Sequence, residues 1–102
     1  MLKYKNPIII YNPTAGGGSA QKKFKKYYDK LVENNLFQKI DIITTRTKEE
    51  ALDKIEGVCR SKKNDLIITI GGDGTISTAV NGIMRLPKED RVPLFPLPSG
   101  TG

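Results

Sequence analysis

One stretch constrains this chain more than any other. Leu66-Ile67-Ile68-Thr69-Ile70-Gly71-Gly72-Asp73-Gly74-Thr75 is an apolar, β-branched run that empties into glycines and continues into a helix-compatible segment. A strand rich in Ile and Leu, without polar alternation, belongs in the middle of a sheet covered on both faces, the habit of parallel strands in α/β domains. Ligands of such sheets sit beyond the carboxyl ends of the strands. Three glycines in four positions there allow positive φ and a close approach to the backbone. The free N–H groups of the following helix, with the positive end of its dipole, add to an anion site of phosphate size. Asp73 stands out, because a carboxylate repels a polyphosphate unless a cation lies between them or the side chain turns to a hydroxyl or an N–H. It points to magnesium or a ribose. The competing reading is a plain tight turn, since Asp and Gly are common turn residues, but a turn requires neither the strand before nor the helix after.

The 102 residues make one domain with a modest core. No run approaches the roughly 20 apolar residues of a membrane span. Met1 to Lys5 leads only into a short apolar strand, so no signal peptide is expected and the protein is read as cytoplasmic. Cys59 is the single cysteine and there is no histidine. Disulfides, thiolate or imidazole metal clusters, and Ser-His or Cys-His triads are thereby excluded, and any metal is a hard ion on oxygen ligands. Cys59 itself reads as a small buried hydrophobe. The net charge of +6 comes largely from Lys3, Lys5, Lys22, Lys23, Lys25, Lys26 and Lys30. It is compatible with an anionic membrane surface, with nucleic acid, or with neither.

Pro7-Ile8-Ile9-Ile10-Tyr11 reads as a first buried strand, broken by Asn12-Pro13-Thr14-Ala15-Gly16-Gly17-Gly18, with Ser19 as the expected cap of a helix from Ala20 to about Asn35. This is not a Walker A loop, because no Gly-Lys-Ser/Thr follows Gly16 at the required spacing. Phe24, Tyr28, Leu31 and Val32 share one face of that helix and lysines surround the rest. The lysine face reads either as solvated or as contacting phospholipid head groups. Ile40 to Thr45 is a second strand. Thr47-Lys48-Glu49-Glu50 has the form of a capping box, starting a helix near Lys48 that buries Ala51, Leu52, Ile55, Val58 and Cys59. After the central strand, Ile76, Ala79, Val80 and Ile83 predict a third helix, and Leu86 to Arg91 a polar loop. Val92 to Leu97 is a last strand whose prolines suggest an edge position or a short ladder, followed by Pro98-Ser99-Gly100-Thr101-Gly102. The alternation predicts an α/β fold: a three-layer, doubly wound, mostly parallel, Rossmann-like sheet with helices on both faces and three glycine-bearing turns converging on one edge.

Asn12-Pro13-Thr14-Ala15-Gly16, Gly71-Gly72-Asp73-Gly74-Thr75 with Val80-Asn81-Gly82, and Pro98-Ser99-Gly100-Thr101-Gly102 together resemble the diacylglycerol kinase catalytic domain family, which includes sphingosine, ceramide and bacterial lipid kinases. The similarity runs from about Pro7 to the last residue. It implies transfer of the ATP γ-phosphoryl group to a lipid hydroxyl such as that of diacylglycerol, with magnesium. Carried over, Asn12, Pro13, Thr14, Ala15 and Gly16 would contact ATP and Thr45 would add a hydroxyl. Gly71, Gly72, Asp73, Gly74, Thr75, Ile76, Ser77 and Thr78 would form the phosphate loop, and Thr101 would contribute from the third turn. Asp73 is the metal candidate. Family members commonly carry Glu where this sequence has Thr78, which removes a carboxylate suited to metal or nucleotide positioning.

Family enzymes also continue beyond the last motif into a β-rich domain that holds the candidate general base and much of the lipid site. Residues 1–102 are therefore expected to be the nucleotide-binding part, with no catalytic base of their own and no lipid turnover alone. Gly-Gly-Asp-Gly by itself is shared by NAD kinases, which leaves an NAD-kinase-like domain as an alternative. A non-catalytic basic module, binding nucleic acid or anionic membrane, is the other, although no nucleic-acid-binding signature is visible.

Overall fold

A computed structural model describes residues 4–37 and 39–99. Four strands form one parallel sheet: β1 (Pro7–Tyr11), β2 (Asp41–Thr44), β3 (Leu66–Gly71) and β4 (Leu94–Pro98), in the order β2-β1-β3-β4. Three helices connect them: α1 (Ser19–Glu33), α2 (Lys48–Ser61) and α3 (Asp73–Met84). The two predominantly apolar runs occupy the centre, and every residue of β1 and β3 is buried, as strands covered on both faces must be. The strands with mixed patterns lie at the edges, where Ile42 and Phe95 are exposed.

Prolines are tolerated in β4 because of its parity. Ser99 N–H donates to the Gly71 carbonyl at 3.2 Å. Backbone direction alternates along a strand, so Pro96 and Pro98 lack their N–H on the open side, away from β3.

Helices cover both faces, giving the expected three layers. On one face Ile8, Ile10 and Ile67 pack with Ile55, Val58 and Cys59 of α2 and with Ala79 and Ile83 of α3. On the other, Ile9, Tyr11, Leu66, Ile68 and Ile70 pack with Ala20, Phe24, Tyr27, Tyr28 and Leu31 of α1, where Tyr11 stacks on Phe24 with ring centroids 4.5 Å apart. Burial pushes the Cys59 thiol up from its ordinary pKa, consistent with an inert core side chain. Gly82 lets α2 and α3 lie side by side, since an added Cβ would sit 3.1 Å from Leu52 Cδ2. Among the described residues no helix is long and apolar enough to cross a membrane.

Several local expectations are corrected. Val32 and Val80 are exposed rather than core, because each lies about 100° around its helix from the neighbour that packs on the sheet, half-buried Leu31 or buried Ala79, and the sheet accommodates only the narrower stripe. Ser19 is not the cap of α1. Gly16, Gly17 and Gly18 turn left-handed in succession, at φ 62°, 66° and 100°, so Gly18 becomes the cap and Ser19 the first helical residue. Leu86, expected in a polar loop, is buried in the core, and Arg91 donates to its carbonyl at 3.0 Å. The capping box at α2 forms with a shift. Thr47 Oγ1 accepts from Glu50 N–H at 3.1 Å, while the Glu50 carboxylate accepts from Arg46 N–H rather than from the cap's own.

Candidate functional site

The chain runs from β1 through α1 to β2 at one edge, then returns across the sheet through α2 to β3 on the other side of β1. The carboxyl ends of β1 and β3 therefore flank a topological switch point, the place where open α/β sheets hold ligands. A cavity of about 370 Å³ opens there, between α2 and α3 above β1 and β3, within the size range of small-molecule sites.

Its wall has two zones. Buried Ile10, Ile55, Thr69 and Ala79 make the floor. Exposed Arg46, Thr47, Lys48 and Gly74, with half-buried Asn12, Ala15, Thr75 and Thr78, make the rim. Thr45 is also buried in this lining, held by a 2.9 Å bond from its N–H to the Tyr11 carbonyl. Neither Arg46 nor Lys48 forms an ion pair among the described residues, so both positive charges are available to an anion at the mouth. Tyr11 turns its hydroxyl away, donating to Gln21 on α1 at 2.8 Å, and burial holds that phenol above its ordinary pKa.

The sequence candidates divide. Asn12, Ala15, Thr45, Gly74, Thr75 and Thr78 line the cavity. Pro13, Thr14 and Gly16 lie on the turn leading into α1, while Gly71, Gly72, Asp73, Ile76 and Ser77 flank the cavity without lining it. Thr101 lies outside the described residues.

Asn12 works as a clamp. Its Oδ1 accepts from Thr14 N–H at 2.9 Å and from the Thr14 hydroxyl at 2.7 Å, and its Nδ2 donates to the Arg46 carbonyl at 3.3 Å. The β1–α1 turn is thereby tied to the β2–α2 junction across the cavity mouth.

The Gly-Asp-Gly segment is less of a loop than expected. Gly72 caps α3 in an extended conformation (φ −98°, ψ −162°), and Asp73 already begins the helix. None of Gly71, Gly72 and Gly74 has positive φ. No side chain caps this terminus. Thr75 N–H donates to the Gly72 carbonyl at 3.1 Å, so the amides that remain for a ligand are those at the very start of the turn, Asp73 and Gly74, which lack intrahelical acceptors. Asp73 is an exposed carboxylate in that turn. Its chemistry suits a hard cation that keeps most of its waters and shares phosphate oxygens. Among the described residues no group of three or more acidic or thiol side chains forms a metal cage.

The sequence reading missed Arg46, Thr47, Lys48 and Thr69 in this wall. Thr69 carried a visible signal, being the one polar side chain in an otherwise apolar strand. Its Oγ1 is buried with no hydrogen-bond partner.

Residues 6–102 match the diacylglycerol kinase catalytic domain. The chain belongs to this family. A diacylglycerol kinase of Bacillus subtilis is 34% identical over 103 residues, covering 95% of this chain and 30% of the relative. A mitochondrial acylglycerol kinase of Xenopus laevis is 30% identical, covering 94% of this chain and 22% of its own length. A crystal structure of a diacylglycerol kinase from Bacillus anthracis superposes with a TM-score of 0.80 at 32% identity, over 99% of this chain and 36% of that one. This chain thus spans about a third or less of the curated relatives it matches. Of the readings open from sequence, family membership selects the diacylglycerol kinase class over the NAD-kinase-like one.

Proposed function

We propose that residues 1–102 form the ATP-binding part of a lipid kinase that transfers the γ-phosphoryl group of ATP to a lipid hydroxyl, diacylglycerol being the representative acceptor. One observation carries the reading: at the switch point of a diacylglycerol kinase domain, a single cavity gathers residues from the ends of β1, β2 and β3. Phosphoryl transfer asks the protein mainly for positioning and charge neutralisation, and both are available at the rim. First-turn amides of α3 at Asp73 and Gly74 would bond phosphate oxygens, and Arg46 and Lys48 would offset their charge. Thr45 and Thr78 would bond the ligand from the side, and Asn12 would hold the mouth in shape. Thr101 is assigned to the same nucleotide site through its motif.

A magnesium ion, when bound, would supply neutralisation of the phosphate charge, with Asp73 as its protein ligand. Thr78, neutral where relatives commonly carry Glu, leaves that task to Asp73 and the phosphates. We assign no catalytic base to this chain. In this reading the base and most of the lipid pocket belong to a β-rich second domain, and residues 1–102 alone bind ATP weakly and phosphorylate no lipid. Location at the cytoplasmic face, with α1 lysines near anionic head groups, fits a lipid acceptor.

The test is thermal denaturation with and without ATP and magnesium. The melting temperature should rise with ligand, as binding to the folded state alone requires, and Asp73→Ala should abolish most of the rise. No shift at millimolar ATP would remove the reading, as would phosphatidic acid formation by residues 1–102 remove the expectation of inactivity.

A further inference from the structure

We infer that the Thr69 hydroxyl is the group that reads the nucleobase at the floor of the cavity, an inference that rests on the nucleotide reading above. Among the described residues, Thr69 Oγ1 is the buried side-chain polar atom left without a hydrogen-bond partner, and Thr69 is only 2% exposed. Buried polar groups are almost always paired, and an orphan calls for an explanation. Here the residue that carries the orphan lines a cavity. A hydroxyl facing packed side chains would simply cost stability, whereas one facing a ligand site recovers its bond when the ligand arrives.

The surroundings indicate which part of a nucleotide arrives there. Thr69 pairs in register with Ile10 of β1 and shares the floor with Ile55 and Ala79, each no more than 2% exposed. A polyphosphate on that floor would be stripped of water without cationic or amide partners, at high cost. A flat heteroaromatic ring loses little by such burial and presents in-plane ring nitrogens or an amino group. The cationic and amide groups all stand at the rim: Arg46, Lys48 and the first turn of α3. The cavity is therefore polarised, with the base inward and the phosphates outward. Thr69 sits where its hydroxyl can donate to a ring nitrogen or accept from an exocyclic amine.

Calorimetric titration of the purified protein with ATP and, separately, with inorganic tripolyphosphate, both with magnesium, tests this. Thr69→Val keeps the shape and removes the hydroxyl. It should weaken ATP binding roughly fivefold, the worth of one neutral hydrogen bond, and leave tripolyphosphate affinity unchanged. Thr69→Ser should restore ATP affinity to near the parent value. Without ligand, Thr69→Val should melt no lower than the parent, because the hydroxyl it removes makes no bond. Thr69→Ala, which cannot crowd its neighbours, carries the same binding expectation if the valine variant does not fold. Parent-like ATP affinity in the valine or alanine variant would overturn the inference and leave the nucleotide reading intact. An equal loss for tripolyphosphate would overturn it too, placing the hydroxyl on the phosphates. A parent protein that binds tripolyphosphate but gains nothing from the base of ATP would also refute it, and one that binds neither ligand would remove the nucleotide reading itself.

Discussion

Two glycine clusters look alike as text and do different physical work. Gly16, Gly17 and Gly18 all have positive φ, and they swing the chain from the end of β1 onto the α1 face of the sheet. Gly71, Gly72 and Gly74 have none, and the helix begins immediately after Gly72. In the first cluster glycine is required by backbone torsion. In the second, Gly71 is required by packing: an added Cβ would overlap the Thr75 side chain, 2.6 Å from its Cβ and 2.9 Å from its Cγ2. Gly72 and Gly74 meet neither demand, since nothing lies within 4 Å of a Cβ added at either. Neither torsion nor packing within the fold therefore requires glycine at these two positions. That difference separates the part of the motif the fold itself requires from the part the proposed phosphate site would use.

Substitutions at these positions separate the roles. Gly71→Ala should have the largest effect, a loss of about 1–3 kcal/mol as expected for overpacking, read as a lower urea midpoint at constant slope. The Thr75 Cβ is fixed to the helix backbone and cannot swing clear. Gly17→Ala should cost about 1 kcal/mol by forcing a left-handed alanine, with no steric component, and Gly17→Asn should recover much of that loss because Asn tolerates the conformation. A clash-like cost at Gly17, or none at Gly71, would collapse the distinction.

Gly74→Ala should move in the opposite direction, gaining roughly 0.5 kcal/mol from helix propensity while weakening ATP binding through the new methyl beside the first-turn amides. Higher stability with undiminished ATP affinity would place the phosphates elsewhere.

The smallest effect serves as a control beyond the C-terminus of α2, at the amino ends of β3 and β4 and away from the cavity. There Lys62 Nζ donates to Asp90 Oδ1 at 2.7 Å and holds that carboxyl below its ordinary pKa. A carboxyl lowered in the folded state contributes stability that is present above its unfolded pKa of roughly 4 and is lost as pH falls through the lowered folded value. Lys62 also occupies the left-handed cap of α2, at φ 61°, so Lys62→Asn keeps a residue tolerant of that conformation while removing the charge. The variant should lose a small part of the acid-side dependence of the melting temperature and show parent-like ATP affinity. A change in ATP binding there would mean that the two ends of the strands are coupled.

Much of the architecture was legible because it follows from short-range rules. Ile8 to Ile10 and Leu66 to Ile70 could only be central strands, Pro96 and Pro98 could only sit on an open edge, and Thr47 with Glu50 marked the start of α2. The failures were equally local. Val32 and Val80 extended an apolar stripe by one residue beyond what the sheet covers, and Ser19 lost the cap to a torsional path available to three successive glycines. At the site, the positions at strand ends were legible, and Thr69 stood out as the one polar residue of its strand, yet nothing in the text distinguished Gly71 from Gly74 or drew attention to Arg46 and Lys48.

What the amino-acid order determined by itself was a parallel α/β layer structure with its glycine-bearing turns on one edge, because strand burial, helix periodicity and turn chemistry are properties of neighbouring residues. The tertiary structure alone decided which side chains share the cavity. Thr69 meets Ile10 through the registry of β3 on β1, Ile55 and Ala79 close over them from two helices, and Arg46 reaches the mouth because Asn12 ties one junction to the other. Those proximities depend on how distant segments pair and pack, so they become physical facts only once the sheet has assembled.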